Sequence, residues 1–376
     1  MRASLNTVAL NTIALRAAFV LTGVGVAVLG AALPAMLAEW NLSDRGGGSL
    51  LLSSFAGSTL GALLVRGKLH LLASLGLAAT AVAATLLAES KGAMLHPAFL
   101  LYGTGLGVAM TAISLLRSRA VPRADSNLEM NRLNLLWALG ACFAPAMALR
   151  SLHVVSVRTL FLSEAVAMAG AAGLLILTRT ADAAVEASGP ASSLSLSRSV
   201  PVRLCLFAAA AVALETAVGG WLTTYTERVA HGVGVAVWAN SAFWFGLLLS
   251  RGLHSFRSVR WLEAGWVTAT HVAAVTLAVL LLVAAPFESM LPAAALFAGL
   301  GLGPLYPLAL SIALPRYHSN AIFVATGLGA ALLPWITGTL STALGSLRSG
   351  LLAPCATVLI LLATGLSIRR QLSESA

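Results

Sequence analysis

Charge is what this chain has least of. Of 376 residues, 13 are acidic and 23 basic, together 10%, against roughly a quarter in an ordinary soluble domain. So few hydrated groups cannot cover a water-soluble globule, and with 59% hydrophobic residues the chain reads as a membrane protein. Cysteine is nearly absent too. Cys142, Cys205 and Cys355 lie far apart inside apolar stretches, without C-x-x-C spacing or a nearby histidine, which argues against a disulfide framework and against a metal site. Lysine is limited to Lys68 and Lys91, every other basic residue being arginine, a bias that fits a GC-rich bacterial genome. No basic block interleaved with aromatics exists, so the net charge of +10 does not point to nucleic acid. No Ser/His/Asp or Cys/His arrangement stands in a polar loop, and no glycine-rich loop precedes a Lys-Ser/Thr pair. The chain is therefore read as no enzyme, with no cofactor and no means of hydrolysing ATP.

Long apolar runs are what it has instead. Stretches able to cross roughly 30 Å of hydrocarbon fall at residues 11–37, 48–65, 69–88, 97–116, 131–149 and 157–178, then at 201–226, 233–250, 261–285, 288–314, 319–344 and 350–368. The first is too long for a secretory signal and is interrupted by Arg16, so it reads as an uncleaved span. Between the sixth and seventh runs, residues 179–200 carry Ala, Ser, Gly and Pro with Asp182 and Glu186 and show no apolar periodicity, the composition of a linker. The pattern predicts an all-α polytopic membrane protein: a six-helix bundle over residues 1–178, a cytoplasmic linker over 179–200, and a second six-helix bundle over 201–376. With the N-terminus in the cytoplasm, sixteen basic residues fall on the inner side and six on the outer, as the positive-inside rule requires. Both termini are thus expected in the cytoplasm, and the basic excess is a topology signal.

The stretch 213–228, ALETAVGGWLTTYTER, stands apart from this apolar background. Glu215 lies about halfway along its run, near the bilayer midplane, where an ionised carboxyl costs several kcal/mol unless paired, wetted or protonated. Gly219-Gly220 loosens the helix just beyond it, and Trp221 and Tyr225 stand one turn apart beside the glycines. Acid, loose backbone and two amphipathic rings predict a polar ligand site inside the membrane. A packing acid with an interfacial aromatic belt is the plainer alternative, and it leaves the acid unexplained.

Other polar residues within the runs are candidates for the same cavity. Asn134 and Trp137 open the fifth run, where Asn131 shares a face with Asn134; Asn240 and Trp244, with Trp238, make a similar cluster in the eighth. Arg16 in the first run either reaches the headgroups or faces the cavity. Glu164 in the sixth either pairs with Arg158 or faces the cavity, the paired role being favoured. In the tenth run Gly299, Gly301, Gly303, Pro304 and Pro307 predict an easily bent helix.

The two halves echo each other. GALLVRGKLH at 61–70 matches GLLLSRGLHS at 246–255, GLG at 105–107 matches GLG at 301–303, and LGACFAP at 139–145 matches LGAALLP at 328–334, each pair in corresponding runs. Twelve spans in two related halves, a polar linker after the sixth, and the basic turn Arg66-Gly67-Lys68 after the second resemble the major facilitator superfamily. The resemblance covers nearly the whole chain, although no Asp precedes Arg66 as the family's loop signature has it. Within that superfamily ETAVGGWLTTYTE is similar to the seventh helix of bacterial carriers related to the fucose:proton symporter group. That symporter's proton-linked acids lie on helices one and four, where this chain has none. The resemblance implies a monomeric secondary carrier in the bacterial inner membrane, working by alternating access on an ion gradient. The expected function is proton-coupled, or alternatively sodium-coupled, transport of a small hydroxylated solute such as a sugar. Glu215 would carry the proton, and Trp221, Tyr225, Asn134, Trp137, Asn240 and Trp244 would line the path. Proton-coupled drug export is the nearest alternative, and a non-transporting or lipid-handling membrane protein the alternative of another class.

Overall fold

A computed structural model describes residues 2–121, 126–152, 156–178, 201–230, 233–255, 264–284, 287–313 and 321–374. The segment expected as a linker, 179–200, lies outside the described residues. No strand occurs among the described residues, and lipid solvent suits this: a helix satisfies its backbone N–H and C=O groups within its own segment. The first six long helices are α1 (Arg2–Glu39), α2 (Asp44–Leu64), α3 (Leu69–Glu89), α4 (Leu95–Arg119), α5 (Ser126–Leu152) and α6 (Val157–Leu177). The second set is α7 (Val202–Val229), α8 (Val233–Ser255), α9 (Ala264–Ala284), α10 (Leu291–Leu302) with α11 (Leu305–Ala313), α12 (Ala321–Leu344), and the short α13 (Leu347–Gly350) leading into α14 (Leu352–Glu374). Among the described residues, nine helices are long and apolar enough to cross a membrane, and two shorter apolar ones lie at Arg132–Ala148 and Thr268–Ala284. α8, with Asn240, Ser241, Ser250 and Arg251, is the twelfth. Val166 and Leu177 stand 74% and 83% exposed on α6, where a hydrocarbon solvent suits them.

Helix starts follow local chemistry. The Ser43 and Ser156 hydroxyls accept from the backbone N–H of Gly46 and Thr159, both at 3.3 Å, and cap α2 and α6. The tenth span breaks where its glycines and prolines predict. Pro304 and Pro307 carry no N–H, so the carbonyls of Leu300 and Gly303 lose their helical donors four residues on, and the span divides into α10 and α11.

The two sets pack alike: α1 on α5 as α7 on α12, α2 on α4 as α8 on α10, and α3 on α6 as α9 on α14. The short sequence repeats are the contact points of this packing. A Cβ at Gly61 or Gly246 would strike a carbonyl of α4 or α10 within 2.3 Å. One at Gly140 or Gly329 would strike α1 or α7 within 2.4 Å. Gly105 and Gly301 likewise rest on α3 and α9, and Gly107 and Gly303 on α2 and α8. Without a hydrophobic drive between helices in lipid, close backbone approach through small residues holds each bundle together. The bundles meet along α1 and α7, α2 and α12, and α5 and α8.

α7 is unbroken through Gly219-Gly220, contrary to the loosening expected there. The glycines serve approach instead: a Cβ on Gly30 of α1 would lie 2.1 Å from the Gly219 carbonyl, and one on Gly219 would lie 2.7 Å from the Trp244 ring.

Candidate functional site

Glu215 sits on the inward face of α7, only 8% exposed, and its Oε2 accepts from Arg251 Nη2 at 2.9 Å. Arg251 reaches it because α8 runs to Ser255, past the end expected near residue 250; counted as a loop charge in the sequence, it is 8% exposed inside the protein. Its Nε donates to the Gly303 carbonyl at 3.1 Å, an acceptor freed by Pro307. The guanidinium also lies 5.8 Å from the ring centre of Trp137, which belongs to α5 of the other bundle. Trp137 meets Trp244 edge to face at 5.8 Å, and Trp244 meets Phe243 at 5.1 Å. Tyr306 of α11 lies within electrostatic reach of both Glu215 and Arg251.

Helical geometry explains the gathering. Asn240, Trp244 and Arg251 are four and eleven residues apart, which places them within about 40° on one face of α8. On α7, Gly219 lies one turn from Glu215 on nearly the same face and admits the Trp244 ring. Asn240 donates from Nδ2 to the Thr223 hydroxyl at 2.5 Å and leaves its Oδ1 buried. That oxygen, the indole N–H groups of Trp137 and Trp244, and the hydroxyls of Thr224 and Ser241 are buried without a hydrogen-bond partner among the described residues. Buried polar groups are ordinarily satisfied, so the two indole N–H groups beside the Glu215–Arg251 pair are ready donors for a polar ligand or water, whereas Thr224 lies about 180° around α7 from Glu215.

The remaining candidates fall elsewhere. Trp221 is fully buried, 120° around α7 from Glu215 by helical geometry, and its Nε1 donates to the Pro334 carbonyl of α12 at 2.8 Å. The Tyr225 hydroxyl donates to the Leu282 carbonyl at the end of α9, at 2.7 Å. Both brace the second bundle in this conformation and are not brought to Glu215. Asn134 returns its amide to the Met130 carbonyl of its own helix at 3.0 Å. Trp238 is 70% exposed on the bundle's outer surface.

Arg16 is drawn to Glu129, donating from Nη2 to both carboxylate oxygens at 2.9 and 3.0 Å, while Arg117 of α4 donates at 2.9 Å. Burial alone would raise the pKa of Glu129, but these two guanidinium groups hold it below the ordinary carboxylate value. Sequence reasoning missed this clamp of α1, α4 and α5. Glu164 does not pair with Arg158, which bonds Glu89 at 2.6 Å; it takes the Tyr102 hydroxyl of α4 instead. At the opposite end from Glu129, the Asp44 carboxylate of α2 accepts from both terminal nitrogens of Arg228 on α7 at 2.7 Å and from Ser341 of α12 at 2.5 Å. This latch joins the two bundles across their interface. The two bundles also touch toward the Glu129 end, where Leu135 of α5 reaches Gly252 of α8.

Twelve spans among the described residues, in two alike bundles, are the layout of the major facilitator fold, and solved structures of that fold superpose on nearly the whole chain. A D-xylose-proton symporter matches with a TM-score of 0.68 at 11% identity, covering 98% of this chain and 97% of its own. The xylose transporter XylE from E. coli, partially occluded and inward open, matches at 0.67 and 13% identity, with 94% and 97% covered. The major facilitator transporter FucP, outward facing, matches at 0.64 and 18% identity, with 95% and 98% covered. No family model matches the chain, and no curated protein matches its sequence. The fold is thus the major facilitator fold, and the chain is a multi-pass membrane protein.

Proposed function

We propose that this chain is a secondary active transporter that moves a small hydroxylated solute, a sugar in the first instance, in symport with protons by alternating access. The carrying observation is the buried Glu215–Arg251 pair, set beneath the Trp137 and Trp244 rings where the bundles meet. Protonating Glu215 would remove the Glu215 carboxylate charge from beside the buried Arg251 guanidinium, a change offset by any ligand offering oxygen acceptors. A sugar offers hydroxyls that both accept from Arg251 and pair with the unsatisfied indole N–H groups of Trp137 and Trp244, and its ring stacks on aromatic faces. Proton and solute therefore favour the same state, and each tightens the other by linkage. The structural neighbours named as D-xylose and fucose symporters support this substrate class.

The boundaries of the reading follow from the sequence: bundles over 1–178 and 201–376, a cytoplasmic linker over 179–200, cytoplasmic termini, residence in a bacterial inner membrane, and action as a monomer without enzymatic chemistry. On that topology the Asp44–Arg228 latch closes the outer mouth. Asn134 and Arg16 line the cytoplasmic half of the path, and Trp221 and Tyr225 reach solute only in another conformation of the cycle.

The test is uptake into proteoliposomes. Labelled D-xylose or L-fucose should accumulate under an inward pH gradient. Glu215→Gln should abolish that accumulation while preserving exchange at equal pH. Accumulation of neither sugar, together with gradient-driven efflux of a hydrophobic cation, would turn the assignment to drug export, and no solute movement at all would sink the transport reading.

A further inference from the structure

The first bundle holds a second buried acid that no part of the Glu215 mechanism uses. Glu164 is 8% exposed, and no ion pair to it exists among the described residues. Its Oε1 meets the Tyr102 hydroxyl, its Oε2 is buried without a partner, and Tyr102 is itself fully buried. Tyr102 Oη also lies 2.8 Å from the Gly25 carbonyl of α1. The side chains press directly on that helix, since a Cβ on Gly25 would fall 2.8 Å from Glu164 Oε1 and 2.9 Å from Tyr102 Oη.

The proton count bears on the charge of this cluster. A phenol has one proton, and a backbone carbonyl can only accept. With Glu164 ionised, Tyr102 must share its one proton between the carboxylate and the Gly25 carbonyl; with Glu164 protonated, the acid can donate to Tyr102 and both contacts become full hydrogen bonds. If Glu164 loses that proton, the Tyr102 proton is drawn toward the carboxylate and the bond to α1 weakens. The surroundings favour the neutral form: the aromatic cluster of Trp40, Phe99, Phe161 and Tyr102 seals α1, α4 and α6 on one side, and a lone carboxylate in so dry a site is costly. Among the described residues the facing titratable group is Tyr102 from α4, and α1 offers backbone. Arg16 and Glu39 of α1 are engaged with Glu129 and the Val157 N–H, and His70 and Glu89 of α3 with Asn11 and Arg158.

We infer that Glu164, with Tyr102 and the Gly25 carbonyl, is a second proton-binding site, one in each bundle, that signals its protonation to the Glu215 site through α1. The route is short. Gly30, five residues beyond Gly25 and about 140° around α1, rests on the backbone of Gly219, one turn from Glu215. Proton loss at Glu164 loosens α1 from α4, and α1 is the rod lying between the two acids. The inference rests on the reading of the chain as a proton-coupled carrier, but its test needs no sugar.

Infrared difference spectra of the full chain in nanodiscs, titrated in pH, should show the carbonyl stretch of a buried neutral carboxylic acid at neutral pH. The band should vanish in Glu164→Gln, shift in Tyr102→Phe because the acid loses its hydrogen-bond partner, and survive in Glu215→Gln. Absence of the band from the parent, or its survival in Glu164→Gln, overturns the site. Hydrogen exchange of the α1 peptide spanning Gly25, corrected for the intrinsic pH dependence, should accelerate several-fold as the infrared band titrates away, and should not do so in Glu164→Gln. Exchange that ignores the titration overturns the signalling. Failed sugar uptake would leave both readouts standing, so the two readings fail separately.

Discussion

Cutting one member of the Glu215–Arg251 pair should cost far more than cutting both. In Glu215→Gln the buried guanidinium loses the Glu215 counter-charge. Breaking a buried pair from one side typically costs about 3–5 kcal/mol. The Gln oxygen retains one hydrogen bond, worth about 1 kcal/mol, and the Gly303 and Trp137 contacts survive, so the expected loss is about 2–4 kcal/mol. Arg251→Met should cost less, about 1–3 kcal/mol, because a stranded carboxyl takes up a proton and then lacks only hydrogen-bond partners. The double variant Glu215→Gln/Arg251→Met places neutral groups of similar volume side by side and should lie within about 1 kcal/mol of the parent. Its stability therefore exceeds that of Glu215→Gln alone, a sign inversion that no sum of independent effects produces. Reversible unfolding of the four proteins in mixed micelles reads the cycle directly. Additive losses, with the double variant the least stable of all, would refute the pairing and with it the argument that protonation releases Arg251.

Three further outcomes follow from other contacts. Asp44→Asn should weaken the latch to Arg228 and Ser341 and raise several-fold the alkylation rate of a cysteine placed at the buried interface residue Leu51; an unchanged rate would remove the latch from gating. Glu129 has a folded pKa below its ordinary 4.5, so the stability from its arginine contacts is present above that pH and lost as pH falls through the folded value. The melting temperature should accordingly drop on acidification below about pH 4.5 more steeply in the parent than in Glu129→Gln, and parallel curves would contradict the clamp. A cysteine at Ser43 should react with an impermeant reagent added outside intact cells and one at Ser192 should not, and the reverse pattern would overturn the charge-based topology.

What the sequence determined by itself was what lipid solvent forces into one dimension. Apolar runs of spanning length, arginine asymmetry between alternate loops, and glycines recurring in register are all local or periodic, and they carry the fold class and the internal repeat without coordinates. The Gly303–Pro307 break was legible for the same reason, because a missing N–H acts within one turn. Glu215 was legible as an anomaly, since an acid in an apolar run is costly wherever its helix packs. Its partner was not. Arg251 follows a run of leucines and reads as the first charge of a loop, and only the extension of α8 to Ser255 and the rotation of α7 against it turn that charge inward. The same limit explains Trp221 and Tyr225, neighbours of Glu215 in the chain whose faces of α7 look toward α12 and α9. Glu164 and Tyr102 are 62 residues apart, as are no two residues that a local pattern could join. Tertiary structure decided these matters because a helix shows the same residues in the same order however it is rotated about its axis. Which of them meet is set by packing glycine against backbone, a contact between segments that neither segment encodes alone.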